Sequence, residues 1–345
     1  KISGNPLWAD RCEDIAFNSF PAALTPDLKG LHYLTCANQV QLDKNNKAPA
    51  IQNGGTMFSY SPGERYRCCQ HNVSHGWPYY AEELWLATAD RGLCASLYAA
   101  SEVSAKMGGG ATVKIAEETD YPFGDTVTLK VSAVQPVKFP LYLRIPRWCS
   151  DASAKLNGKS VRFAAKPLSY VVIEREWKNG DTVSLRLPMQ VTVQKWEKNQ
   201  DAVSVNYGPL TFSLKIGERW ERCGGTEAWP ELEVFPTTPW NYGLVLNEKT
   251  PAKSFKVVKC GAGALPAQPF TPATTPLELR VEAKRIPAWK QDAQGLVGKL
   301  QASPVKSGEP VETVTLIPMG AARLRITTFP VIGQGKDAQE WKAGE

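Results

Sequence analysis

Cys68 and Cys69 are adjacent, with His71 and His75 just beyond them, and together they form the densest group of soft ligands in the chain. Thiolate and imidazole suit zinc. A thiolate whose pKa is lowered by a metal, a cation or a helix N-terminus can also act as a nucleophile. The spacing is not that of a C-x-x-C finger, and no second pair occurs, so further ligands would have to come from elsewhere. A plainer reading is open as well: two inert cysteines at a helix entrance, one buried and one loosely exposed. His71 and His75 are four apart, so they would share a face of any helix that began early enough. Packing near a core accounts for His75 at least as well. His32 completes the histidines, so all imidazole chemistry is confined to the first quarter of the chain.

The elements that must position these residues change character along the chain. Residues 5–24 read as a helix, with Asn5 as N-cap and Pro6 at the first helical position. Its broad apolar face comprises Leu7, Trp8, Cys12, Ile15, Ala16, Phe17 and Phe20, which requires partners. Pro21 and Thr25-Pro26 stop it. Residues 26–66 carry turn chemistry and little periodicity, the mark of a long irregular segment of the kind that often serves function. Residues 72–88 read as a second helix. After residue 90 the period falls to two. Strands are expected at 93–99, 111–116, 126–133, 139–145, 170–174, 182–187, 190–194, 202–206, 210–214, 254–258, 277–281, 313–317 and 323–328. Lys178-Asn179-Gly180-Asp181 is a strong turn signal between two of them. The fold class is therefore mainly β, with two antiparallel β-sandwiches. The domains are 1–90, 91–195, 196–335 and a frayed polar tail at 336–345.

Composition narrows the function classes. The chain has 345 residues, 43% hydrophobic and 21% charged, as a globular protein does. The net charge of +6 is spread along the chain, so no basic stripe points to nucleic acid. No apolar run is long enough to span a membrane as a helix. The other six cysteines sit singly in apolar stretches, as small buried hydrophobes do; Cys223 and Cys260 could pair. Trp220, Trp229 and Trp240 could stack on sugars, although core or interface positions are the preferred reading. Glu64, four residues before Cys68, reads as a loop residue. Tyr66, Arg67 and His71 could line a pocket and bind substrate.

Six ordered segments carry a family resemblance. They are GNPLWADRCEDIAFNSFPAAL, RYRCCQHN, FPLYLRIPRW, VVIEREWKNGDTVSLRLPM, VNYGPLTFSL and VTLIPMGAARLRITTFPV. Together they resemble glycoside hydrolase family 127, the β-L-arabinofuranosidase group. The first is similar to a late helix of that family's (α/α) helical barrel, and the second to its Cys-Cys-x-x-Asn segment. The resemblance implies that residues 1–90 are a remnant of the barrel and that the chain is the C-terminal part of a retaining exo-glycosidase acting on a glycan or oligosaccharide. It implies Cys68 as nucleophile and zinc ligand, and Cys69 as zinc ligand. The general acid/base glutamate and a Glu-x-Cys ligand pair would lie upstream of Lys1, on the missing N-terminal part of the barrel, so this chain alone is expected to be inactive. Many members have Pro-Pro where Gln70-His71 stand, which marks a different branch. Export to the periplasm or beyond is the expectation for an enzyme that degrades plant polysaccharides. The competing reading is a non-catalytic β-sandwich module, carbohydrate-binding or structural, with an inert cysteine pair. It predicts a self-contained fold without metal.

Overall fold

The computed structural model describes residues 2–45, 47, 57–63, 67–107, 110–261 and 263–342. The chain divides into two compact units: Lys1–Ala16 with His75–Gln190, and Phe17–Ser74 with Val191–Glu345. The stretch 1–90 thus contributes to both. No helix among the described residues is long and apolar enough to cross a membrane.

In the first unit, helix α1 (Pro6–Asp14) starts as the sequence dictates. The Asn5 side chain accepts from the Leu7 N–H at 2.9 Å, and Pro6 fills the first position, where no N–H is needed. Its buried face is not the expected one. Asp10 and Glu13 are buried, whereas Trp8 and Ile15 are 63% and 58% exposed. The reason lies 130 residues away. Arg144, fully buried, donates through Nη1 to Asp10 and through Nη2 to Glu13. Its Nε donates to the Ser96 carbonyl, and Tyr121 donates to Glu13 at 2.7 Å. A buried cation with two carboxylates turns the charged side of α1 inward.

Two sheets make up most of this unit. One orders Ser169–Trp177, Val137–Ile145, Leu93–Ala95 and Trp85–Ala87; the other orders Ser101–Met107, Ala111–Thr119, Thr126–Ala133, Thr182–Arg186, Ser153–Leu156 and Lys159–Val161. Buried positions alternate along the strands, as in Val127, Leu129 and Val131, or Leu141, Leu143 and Ile145. Leu93–Ala95 runs parallel to Val137–Ile145, a departure from the purely antiparallel expectation. The Lys178–Asp181 turn forms, with Gly180 at φ +85°, but it does not close a hairpin. It passes the chain from one sheet to the other, because Ser169–Trp177 pairs with Val137–Ile145 while Thr182–Arg186 pairs with Thr126–Ala133 and Ser153–Leu156.

A π-helical segment at Ile15–Ser19 carries the chain into the second unit and leads into α2 (Phe20–Ala22). Pro21 lacks the N–H that would bond the Phe17 carbonyl, so the ladder is broken there. Seven strands form the main sheet, in the order Val191–Trp196, Ala202–Tyr207, Leu210–Leu214, Val311–Pro318, Leu277–Arg285 and Tyr242–Leu244, with Lys256–Lys259 also paired to Leu277–Arg285. A separate hairpin, Glu218–Gly225 with Pro230–Pro236, was not expected from sequence. Its second strand takes bridges from Leu42 and Tyr60. The tail is less frayed than its polarity suggests. Ala338 is buried, the Gln339 N–H donates to the Pro304 carbonyl at 2.9 Å, and Trp341 lies 5.4 Å from Trp289.

Candidate functional site

Cys68 and Cys69 lie in the first turn of α3 (Arg67–Val73), in the second unit. This differs from the helix expected at 72–88. The helix starts earlier and ends at Val73, α4 (Gly76–Glu82) follows, and Trp85–Ala87 is a strand. The pair is therefore inside a helix rather than ahead of one. With seven residues, α3 is too short for its end to carry an argument about the thiolate.

The two thiols differ in setting. Cys68 is exposed and Cys69 half-buried, with their sulfurs 3.7 Å apart, in contact but not bonded. All eight cysteines are free thiols, so Cys223 and Cys260 do not pair. Partial burial, and then the neighbouring Cys68, push the Cys69 thiol up. The Asn72 amide donates to the Cys68 carbonyl at 2.6 Å, the interaction that the asparagine of Cys-Cys-x-x-Asn makes here. The Gln70 amide donates to the Ser61 carbonyl at 3.3 Å, tying the helix to residues 57–63. Ser61 is itself held by reciprocal backbone bonds with Leu31.

His71 is exposed on α3, and its carbonyl accepts from Ser74 Oγ at 2.9 Å. His75 precedes α4, so the two histidines do not share one helix as their spacing allowed. His75 is exposed beside Tyr79 (5.3 Å between rings), not packed in a core. Tyr66 and Glu64 lie outside the described residues. His32 is buried instead of available. Its Nδ1 donates to the Leu34 carbonyl at 2.5 Å, and burial with the Arg325 charge lowers its pKa to about 3.

The donor chemistry fits a thiophilic ion in part. Two cysteine sulfurs in contact supply half of a tetrahedral zinc shell. Among the described residues, no group of three or more His, Cys, Asp or Glu forms a complete set. The three tryptophans follow the preferred reading except Trp229. Trp240 is buried against Trp289, Trp220 stacks on Tyr60, and Trp229 is exposed with Lys29 above its ring.

Sequence reading missed one polar group altogether. Arg323 and Arg325, inside an apolar run, are fully buried with Tyr60 and His32. Two arginines two apart in a hydrophobic strand were a signal available from the start, since such residues are buried only for a reason.

Comparison with known proteins bears out the resemblance. Residues 92–189 match the family model "Beta-L-arabinofuranosidase, GH127 middle domain", which spans both FPLYLRIPRW and VVIEREWKNGDTVSLRLPM and stops short of the cysteine pair. No curated protein matches the chain. Among solved structures, the chain is similar to one described as a glycoside hydrolase (TM-score 0.66, 20% identity, 96% of this chain and 50% of that one). It is similar to Ara127N-Se, a GH127 beta-L-arabinofuranosidase from Geobacillus stearothermophilus T6 (0.66, 22%, 96% and 47%). The GH127 beta-arabinofuranosidase BT3674 is a third (0.66, 19%, 98% and 48%). At these identities the likeness is one of fold. The chain spans about half the length of the structures it matches.

Proposed function

We propose, from the GH127 middle domain at residues 92–189, that the whole protein carrying this chain is a retaining glycoside hydrolase of the β-L-arabinofuranosidase type. The observation that carries the reading is the exposed thiol of Cys68, in contact with Cys69, in a chain with that domain and that fold. Cys68 is the nucleophile. Its thiolate attacks the anomeric carbon, the C–S bond forms as the glycosidic C–O bond breaks, and a carboxylic acid outside this chain protonates the departing oxygen. Water, deprotonated by the same carboxylate, then displaces the sulfur, restoring thiolate and configuration.

Cys68 and Cys69 would hold a zinc ion together with donors from outside the described residues. When bound, that ion supplies the positive charge that keeps the adjacent thiols deprotonated at neutral pH. Asn72 fixes the backbone at Cys68, and Gln70 fixes the helix on Ser61. His71, exposed one turn from Cys68, and Tyr66 are the proposed contacts to a furanoside glycan.

Metal content separates this from an inert pair. The whole protein should carry about one zinc per chain, lost in Cys69→Ser, and zinc content unchanged in that variant would sink the ligand assignment. The isolated chain, without the acid, should not hydrolyse aryl glycosides.

A further inference from the structure

Several buried charges among the described residues are matched. Arg144 meets Asp10 and Glu13, and Lys47 meets Asp43 at 2.9 Å. Arg323 and Arg325 have no ion-pair partner among the described residues, yet both are 0% exposed. They stand two apart, Arg323 in a bend and Arg325 opening the short strand Arg325–Ile326, and the charges of both act on the Tyr60 hydroxyl.

Backbone carbonyls hold each guanidinium by the same two nitrogens. Arg323 donates from Nε to Leu24 (2.8 Å) and from Nη1 to Phe270 (2.6 Å), Ala321 (3.0 Å) and Gly320 (3.2 Å). Arg325 donates from Nε to Cys36 (3.0 Å) and from Nη1 to Ala322 (3.1 Å) and Ala22 (3.5 Å). That leaves Nη2 of both arginines buried without a well-formed hydrogen bond among the described residues, and the Tyr60 hydroxyl, which also lacks one, faces the Arg323 guanidinium. Tyr60 is also fully buried, its ring 5.0 Å from that of His32. His32 adds no charge, because Nδ1 donates to the Leu34 carbonyl and Nε2 keeps its lone pair.

The carboxylate of Glu218 favours both charges but makes no direct bond to either guanidinium. Glu218 Oε1 accepts from the Arg323 and Leu324 N–H groups, and Oε2 accepts from Trp220 Nε1. Carbonyl dipoles can satisfy N–H groups, and so can water, but neither cancels two like charges out of solvent. An anion does both, through short charge-assisted bonds.

We propose that Arg323 Nη2, Arg325 Nη2 and the Tyr60 hydroxyl form a binding site for a small monovalent inorganic anion of halide size, with chloride as the natural occupant. Full burial of all three residues excludes a large polyatomic ligand. Bound there, the anion braces Tyr60 and, through Ser61 and Gln70, the base of α3.

The test is bromide anomalous scattering from crystals of the whole protein grown in sodium bromide. A bromine peak within hydrogen-bond distance of both Nη2 groups is expected. Water or a protein carboxylate in that place, with no bromine, would overturn the site. In solution, chloride should raise Tm above its value in gluconate at equal ionic strength, in a concentration-dependent way. Arg325→Gln should abolish that difference, and Tyr60→Phe, the milder variant should the first not fold, should reduce it. A chloride response equal to wild type in the variant that folds would also overturn the proposal.

Discussion

Cys68 and Cys69 differ by one position in the chain and yet have different surroundings: one thiol meets solvent and the other is half-covered. In the proposed reaction the exposed thiol attacks and the half-covered one anchors the ion. Glu117 shows how burial alone resets an acid. It is 2% exposed, accepts from the Ala99 N–H at 3.2 Å, and has no ion-pair partner among the described residues. Burial raises its pKa from 4.5 to about 8, with the Ala99 and Ser101 hydrogen bonds pulling the other way. The unfolded chain would release this proton at lower pH, so between about pH 4.5 and 8 the native state binds more protons and stability falls as pH rises. Glu117→Gln keeps an acceptor without the charge. It should flatten that decline and add on the order of 1–3 kcal/mol near pH 8. Urea titrations across the window decide it, and an unchanged slope would mean Glu117 is not the source.

Among the elements, α1 is held by charge where its sequence promised grease. Arg144→Met would leave Asp10 and Glu13 buried without their cation, at a cost of about 3–5 kcal/mol. A loss below about 1 kcal/mol in denaturant unfolding would show the pairing to be incidental. The 3-10 turn Met319–Ala321, which packs on the stretch around α2, has a steric constraint of its own. A Cβ on Gly320 would come 2.5 Å from the Phe17 carbonyl and 2.7 Å from the Pro21 ring. Gly320→Ala should therefore destabilise the second unit by about 1–3 kcal/mol, read as a lower Tm, and an unchanged Tm would show that the backbones can part. The start of α1 was legible because Asn5-Pro6 is local chemistry. Its buried face was not, because the arginine that selects it arrives on a strand 130 residues later.

Over the molecule as a whole, period-two strands were the readable part. Thr126–Ala133 and Leu210–Leu214 fall where alternation put them. Pairing was less readable, because a turn such as Lys178–Asp181 states that the chain reverses, not which sheet receives it. The Glu218–Gly225 hairpin escaped notice because charged residues and glycines hide its period. The cysteine pair stood out at once, but its place inside α3 did not, since the Arg67–Val73 helix is a polar turn without apolar rhythm. The family resemblance drew on segments spread over the chain, and the middle-domain match covers two of them.

In the proposed reaction Cys68 becomes covalently attached to sugar. The most direct measurement is mass spectrometry on the whole protein, acid-quenched during turnover of an activated aryl β-L-arabinofuranoside. One pentosyl adduct on the peptide bearing Cys68 is expected, with both adduct and hydrolysis lost in Cys68→Ser. An adduct on a carboxylate instead, or hydrolysis undiminished in Cys68→Ser, would contradict the account.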